Sequence, residues 1–209
     1  MVVVDDHRMF AESLARLLAE EGLDVVGTAA SAAEAVTLVE RSRPDVALVD
    51  YYLPDLDGGQ LARRLLAGGS PIQVVILTGD ADDRVLLDAI DAGCSGFLTK
   101  DRAAAEVCEA VRAVVGGESL VSPAVLARLL PKLTRGEDRP PAGLTPRESE
   151  LLVLMTHGLT NRAIGERMFL STNTVRNYVQ SVLTKLGAHS KLEAVSVAVR
   201  RGIVDYPGE

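Results

Sequence analysis

The stretch VVVDDHRMF, residues 2–10, decides the fold. Its three consecutive valines read as a strand buried on both faces, the pattern of a parallel sheet rather than of a half-exposed antiparallel one. The run stops on two adjacent carboxylates, Asp5 and Asp6. Two like charges at the end of a buried strand need something to hold them together.

Working outward, short apolar runs recur at residues 25–28, 46–49, 74–77 and, more weakly, 96–98, each followed by turn residues. Helical patterns lie between them. Phe10, Leu14, Leu17 and Leu18 make an apolar stripe, and Ser31 with Glu34 and Asp57 with Gln60 are capping boxes ahead of helical apolar positions. Further helices fit residues 82–92 and 103–115. Five strands alternating with five helices over residues 1–118 describe one doubly wound α/β domain with a five-stranded parallel sheet. The first strand starts at the head of the chain, which leaves it short and open to fraying.

In such a sheet, ligands bind beyond the carboxyl ends of the strands. The polar residues gather there: Asp5 and Asp6 after the first strand, Asp50 at the end of the third, Thr78 at the end of the fourth, Lys100 after the fifth. Converging carboxylates repel unless a cation sits among them. Mg²⁺ fits, because it accepts one or two direct carboxylates and fills its other positions with water and phosphate oxygens. Other acids have plainer duties: Asp55 and Asp57 shape a turn and cap a helix, and Asp80, Asp82 and Asp83 suit the positive end of the next one. Tyr51 and Tyr52 either line the pocket mouth or cover the strand ends.

Composition narrows the class. The 209 residues carry a net charge of −7, unevenly spread: 10 Lys/Arg against 21 Asp/Glu through residue 118, 4 against 2 over 119–143, and 8 against 6 from 144 on. An acidic front and a mildly basic rear suggest two modules, the rear one touching nucleic acid. Cys94 and Cys108 have no metal-ligand spacing and read as core residues. Acidic residues at positions 5 and 6 exclude a secretory segment, and no apolar run approaches the ~20 residues of a membrane span. A soluble, cytoplasmic protein is expected.

After GGESLVSPAVLARLLPKL (residues 116–133), where Ser122 and Pro123 start a short helix, residues 134–143 read as a tether, so that 119–143 form a linker. Thr145-Pro146-Arg147-Glu148 then opens a helix with a capping box. A second spans residues 161–168, a third follows Ser171, and a fourth is capped by Ser190 and Glu193. The third has an apolar stripe of Val175, Val179, Val182, Leu183 and Leu186, and on its other face Arg176, Asn177, Gln180, Ser181 and Lys185. Such a helix can anchor behind and reach base edges in a major groove in front. On periodicity alone a purely structural helical bundle fits residues 144–209 as well.

The set Asp5-Asp6, VDYYLPDLDG with Asp50, LTG with Thr78 and GFLTK with Phe97 and Lys100 resembles the receiver domain of two-component response regulators. That likeness implies a flavodoxin-like strand order of 2-1-3-4-5. It implies Asp50 as the phosphoacceptor for a sensor histidine kinase, and Mg²⁺ bound by Asp6, Asp50 and the Tyr52 backbone carbonyl, with Asp5 acting through water. Thr78 and Lys100 would hold phosphate oxygens, and Thr78 and Phe97 would act as the switch. Asp101 stands where many receivers have proline. Residues 144–187, LTPRESELLVLMTHGLTNRAIGERMFLSTNTVRNYVQSVLTKLG, resemble the LuxR-type helix-turn-helix of NarL/FixJ-family regulators, an all-α four-helix domain. By that resemblance Arg176, Asn177 and Gln180 would face bases, while Thr160, Asn161, Thr172 and Lys185 would touch phosphates. Gly165 and Tyr178 stand where the family often has Ala and His.

The implied function is a DNA-binding response regulator rather than an enzyme. Phosphorylation of Asp50 would favour a homodimer that binds a double-stranded operator, with RNA polymerase a further partner and no membrane involved. Two other readings use the same residues: a pseudo-receiver controlled by dimerisation or ligand, and an aspartyl-nucleophile phosphatase. The phosphatase would need a second acid two residues after Asp50, where Tyr52 stands.

Overall fold

A computed structural model describes residues 1–68, 71–79, 82–133 and 143–204. Two compact units divide after Gly116. In the first, a five-stranded parallel sheet has the order β2-β1-β3-β4-β5, formed by β1 (Val2–Val4), β2 (Gly27–Ala29), β3 (Val46–Asp50), β4 (Gln73–Thr78) and β5 (Gly96–Thr99). The crossovers are α1 (Arg8–Glu20), α2 (Ala32–Ser42), α3 (Gly58–Ala67) and α4 (Asp83–Asp91), and α5 (Ala104–Val115) follows the last strand.

Short as it is, β1 does not fray, because it is an inner strand. Val2, Val3 and Val4 are fully buried and pair with β2 on one side and β3 on the other. The second strand begins at Gly27, two residues later than the Val25-Val26 pair suggests: Val26 N still donates to the Met1 carbonyl, but Val26 lies at the sheet edge and is 39% exposed. The inner strands β3 and β4 are almost wholly apolar and buried, with Leu48, Ile76 and Leu77 among the largest fully enclosed side chains. Each buried leucine or isoleucine removes enough apolar surface to contribute about 1.5 to 3 kcal/mol.

The Asp57–Gln60 capping box forms as read, whereas the Ser31–Glu34 one is only half made, Glu34 accepting from Ala30 N instead of Ser31 N. Asp57 accepts from Gln60 N while Gln60 returns to Asp57 N. Ser31 accepts from Glu34 N. Asp55 caps a different helix from the one beside it, accepting from Ala32 N and Ala33 N at the start of α2. Those amides hold its carboxyl below the ordinary range. Asp82 caps α4; Asp80 lies outside the described residues, as do positions 134–142 of the 134–143 stretch read as a tether.

The second unit holds α6 (Pro123–Leu129), a 3-10 turn at Leu130–Lys132, α7 (Pro146–Thr156), α8 (Asn161–Met168), α9 (Thr172–Leu186) and α10 (Lys191–Arg200). Ser122, Thr145, Thr160, Ser171 and Ser190 each cap the helix that follows. Leu126, Leu129 and Leu130 are buried, and the short helix after residue 122 groups with the second unit, Leu126 lying beside Gly158. Among the described residues no helix is long and apolar enough to cross a membrane.

Candidate functional site

Parallel register brings the strand ends of the first unit level. Asp50 pairs across to Leu77 and Thr78 to Thr99, so Val4, Asp50, Thr78 and Lys100 finish at one edge of the sheet. The ladder continues past β1, with Asp5 N donating to the Ala29 carbonyl, and past β5, with Lys100 N donating to the Thr78 carbonyl. These bonds fix the backbone from which the site side chains project.

Lys100 Nζ lies 2.6 Å from Asp5 Oδ2 and 2.8 Å from Asp50 Oδ2, and 5.2 Å from the Phe10 ring centroid. Asp5 and Thr78 are fully buried and Asp50 is 3% exposed. Burial pushes the Asp50 carboxyl up, partly offset by Lys100; burial alone would lower Lys100, but the two carboxylates outweigh it and hold the ammonium above its ordinary value. Asp5 Oδ2 and Asp50 Oδ2 thus share one ammonium, that of Lys100. Two buried carboxylates around one ammonium leave net negative charge in the pocket, which suits a further cation.

Asp6 is more open, its side chain 39% exposed, and His7 turns toward it with Nδ1 2.8 Å from Asp6 Oδ1. One ligand atom from each of Asp5, Asp6, His7 and Asp50 lies within 4.8 Å of the others. Oxygen donors dominate this set, which suits a hard divalent ion such as Mg²⁺. His7 is the residue that the strand-end logic passed over, although it follows the two carboxylates directly. Phe97 is half-buried against the core on β5, and Tyr52 is 61% exposed at the pocket rim, bridging to Asp57.

Tyr51 has a different task from its neighbour. Its hydroxyl donates to Asp88 Oδ2 on α4 at 3.0 Å, and Arg63 on α3 binds the other Asp88 oxygen. Burial, then the Asp88 bond and charge, push the Tyr51 phenol well up. The residue after Asp50 is thereby tied to two helices, a link no local pattern announces because Asp88 is 37 residues away. Gly58 permits the turn between: a Cβ there would stand 2.8 Å from Tyr51 Cα and 2.9 Å from the Asp50 carbonyl oxygen.

In the second unit, α9 buries Val175, Val179, Val182 and Leu186 and exposes Arg176, Asn177 and Gln180. Thr172 and the capping residue Thr160 are exposed as well. Lys185 is engaged: its ammonium lies 2.6 Å from Glu148 Oε2, and Glu148 also accepts from Ser181. Those bonds, Lys185 first, bring the Glu148 carboxyl down to about 2. Asn161 is fully buried. Its backbone N–H donates to Glu118, its side-chain amide to the Gly117 carbonyl, and its Oδ1 accepts from the buried Lys191. Lys191 is lowered by burial, partly offset by Glu118. Gly165 is required where it stands, since a Cβ would meet the Leu170 carbonyl oxygen at 2.7 Å in the turn between α8 and α9.

Comparison with known proteins covers both units. Residues 1–112 match the response regulator receiver domain, and residues 142–198 match the bacterial regulatory proteins of the luxR family. The chain is 42% identical to the DNA-binding transcriptional activator DevR/DosR of Mycobacterium tuberculosis over 99% of its own length and 97% of that protein's. It is 33% identical to the transcriptional regulatory protein LiaR of Bacillus subtilis over 98% and 99%. The receiver domain of the response regulator NarL from Mycobacterium tuberculosis is similar in structure, with a TM-score of 0.54 and 36% identity over 56% of this chain and 95% of that one. A LuxR-family two-component response regulator from Aurantimonas gives 0.57 and 30% over 63% and 94%.

Proposed function

This chain belongs to the NarL/FixJ family of two-component response regulators, DNA-binding transcriptional regulators built from a receiver and a LuxR-type helix-turn-helix, and from that premise we propose that phosphorylation of Asp50 controls its binding to DNA. The observation that carries the reading is the convergence of Asp50, Asp5 and Lys100 within 2.8 Å contacts at one sheet edge, with Thr78 buried beside them.

Phosphoryl transfer needs positioning and charge neutralisation more than acid or base work. An Asp50 carboxylate oxygen forms the bond to phosphorus as the phosphorus–nitrogen bond of a kinase phosphohistidine breaks, the nitrogen keeping the electron pair. Lys100, 2.8 Å from Asp50, is proposed to neutralise charge there, and Thr78 Oγ1 to donate to a phosphate oxygen. Asp6, Asp50 and the Tyr52 carbonyl would hold Mg²⁺ with Asp5 acting through water, and the ion supplies further positive charge to the transferring group. A charge-assisted bond from Thr78 or Lys100 contributes about 1.5 to 3 kcal/mol, the size of a typical coupling free energy. The receiver proposed here spans residues 1–118, the linker 119–143 and the DNA-binding domain 144–209.

On the DNA side, Arg176, Asn177 and Gln180 are proposed to read bases, and Thr160 and Thr172 to contact phosphates, all from exposed positions. Asn161 and Lys185 join the phosphate contacts only after leaving partners inside the unit: Glu118 for Asn161, Glu148 for Lys185. Phosphorylation is proposed to favour a homodimer that sets two α9 helices on neighbouring half-sites, with RNA polymerase as a further partner in the cytoplasm. The test uses the full chain, acetyl phosphate with Mg²⁺, and DNA selected from a random pool. Acetyl phosphate should tighten binding by the wild type and leave Asp50→Ala unchanged; equal tightening in both overturns the proposal.

A further inference from the structure

His7 occupies the position that caps α1, yet its side chain makes no capping hydrogen bond. Residues at that position usually spend a side-chain oxygen on the exposed N–H groups of the first turn. Here the backbone is pinned instead, His7 N donating to Asp5 Oδ1 at 2.9 Å, and the ring is turned back over the carboxylates, with Nδ1 2.8 Å from Asp6 and 3.3 Å from Asp5. The ring is 74% exposed, so burial does not dictate this pose. In an octahedral site with bonds of about 2.1 Å, opposite donors stand about 4.2 Å apart. The donors of Asp5, Asp6, His7 and Asp50 already lie within 4.8 Å of one another, which a rotation of one exposed ring can close.

We propose that His7 is a nitrogen ligand to the divalent ion of this pocket, and that it favours borderline ions such as Co²⁺, Ni²⁺ and Zn²⁺ over Mg²⁺ more strongly than the carboxylates alone do. The proposal rests on reading the pocket as a divalent-ion site. Its chemistry follows from donor type: Mg²⁺ prefers oxygen and keeps its waters, whereas imidazole binds ions later in the first transition row well. A ring at the pocket rim can exchange for one of those waters without disturbing Asp6 or Asp50.

Two measurements on the full chain decide it. Titrations of wild type and His7→Ala with Mg²⁺ and with Co²⁺ should show Co²⁺ affinity falling about tenfold or more in the variant, the scale on which metal sites lose affinity when a supporting residue is removed, while Mg²⁺ affinity stays within about twofold. Equal losses for both ions, or none for Co²⁺, overturn the role of His7. Electron spin-echo spectroscopy of Mn²⁺ bound to the wild type needs no variant, and should show ¹⁴N modulation from a directly bound imidazole. Its absence from a protein that binds Mn²⁺ also overturns the proposal. If the wild type binds neither Mg²⁺ nor Mn²⁺, the pocket reading itself fails, which is a distinct result.

Discussion

Lys100 is the residue on which the acidic pocket depends. Its ammonium compensates two carboxylates that are buried in a sheet edge, and removing one partner of a buried ion pair costs about 3 to 5 kcal/mol where nothing replaces it. Lys100→Ala should therefore lower the melting temperature of the receiver in EDTA, and Mg²⁺ should restore more stability to the variant than it adds to the wild type. A melt indifferent to the substitution would show that Asp5 and Asp50 do not need this cation. The local sequence made Asp5, Asp6, Asp50, Thr78 and Lys100 legible, because each follows an apolar strand. Glu118, Asp88 and the true partner of Asp55 were not legible, since each reaches an element distant in the chain.

Helix connections set the next scale. Glu148 ties α7 to α9 through Ser181 and Lys185, and its carboxyl is held at about 2, below its ordinary 4.5. A lowered carboxyl stabilises the fold above its unfolded value and loses that contribution as pH falls through the folded one. The second unit should accordingly lose stability between about pH 5 and pH 2, by roughly 2 kcal/mol at 1.36 kcal/mol per unit after discounting for the partly exposed Lys185. Glu148→Gln should flatten that dependence in acid unfolding followed by circular dichroism. In the turn after α8, Gly165→Ala should cost about 1 to 3 kcal/mol, because its Cβ would press on the fixed Leu170 carbonyl; urea unfolding measures it, and an unchanged midpoint refutes the contact. Tyr51→Phe removes one bond to Asp88 and should cost about 1 kcal/mol.

For the whole molecule, the sparse positive charge from residue 144 onward matters most: 8 Lys/Arg against 6 Asp/Glu leave one copy few means of holding a phosphate backbone. In the proposed homodimer, pairing two copies would raise the effective concentration of the second α9 helix and with it the affinity. Sedimentation should show acetyl phosphate shifting wild type, and not Asp50→Ala, toward a dimer over the concentration range in which DNA binding tightens. Arg176→Ala should relax sequence preference with the fold retained, whereas Lys185→Ala should weaken DNA binding and also lower the melting temperature, because it leaves Glu148 unpaired.

By itself the sequence determined the alternation of strands and helices, the caps, the polar residues at strand ends and the division of charge between front and rear, since all of these follow from periodicity and neighbours a few positions apart. Tertiary structure alone decided that the 123–129 helix groups with the second unit, that Asp55 serves α2, that Tyr51 is bound to α4, that Asn161 is buried against Gly117, Glu118 and Lys191, and that the exposed Lys185 is paired with Glu148. The reason is physical: a hydrogen bond or ion pair between groups 22 to 44 residues apart depends on where packing brings two backbones together, and no local pattern along the chain encodes that meeting.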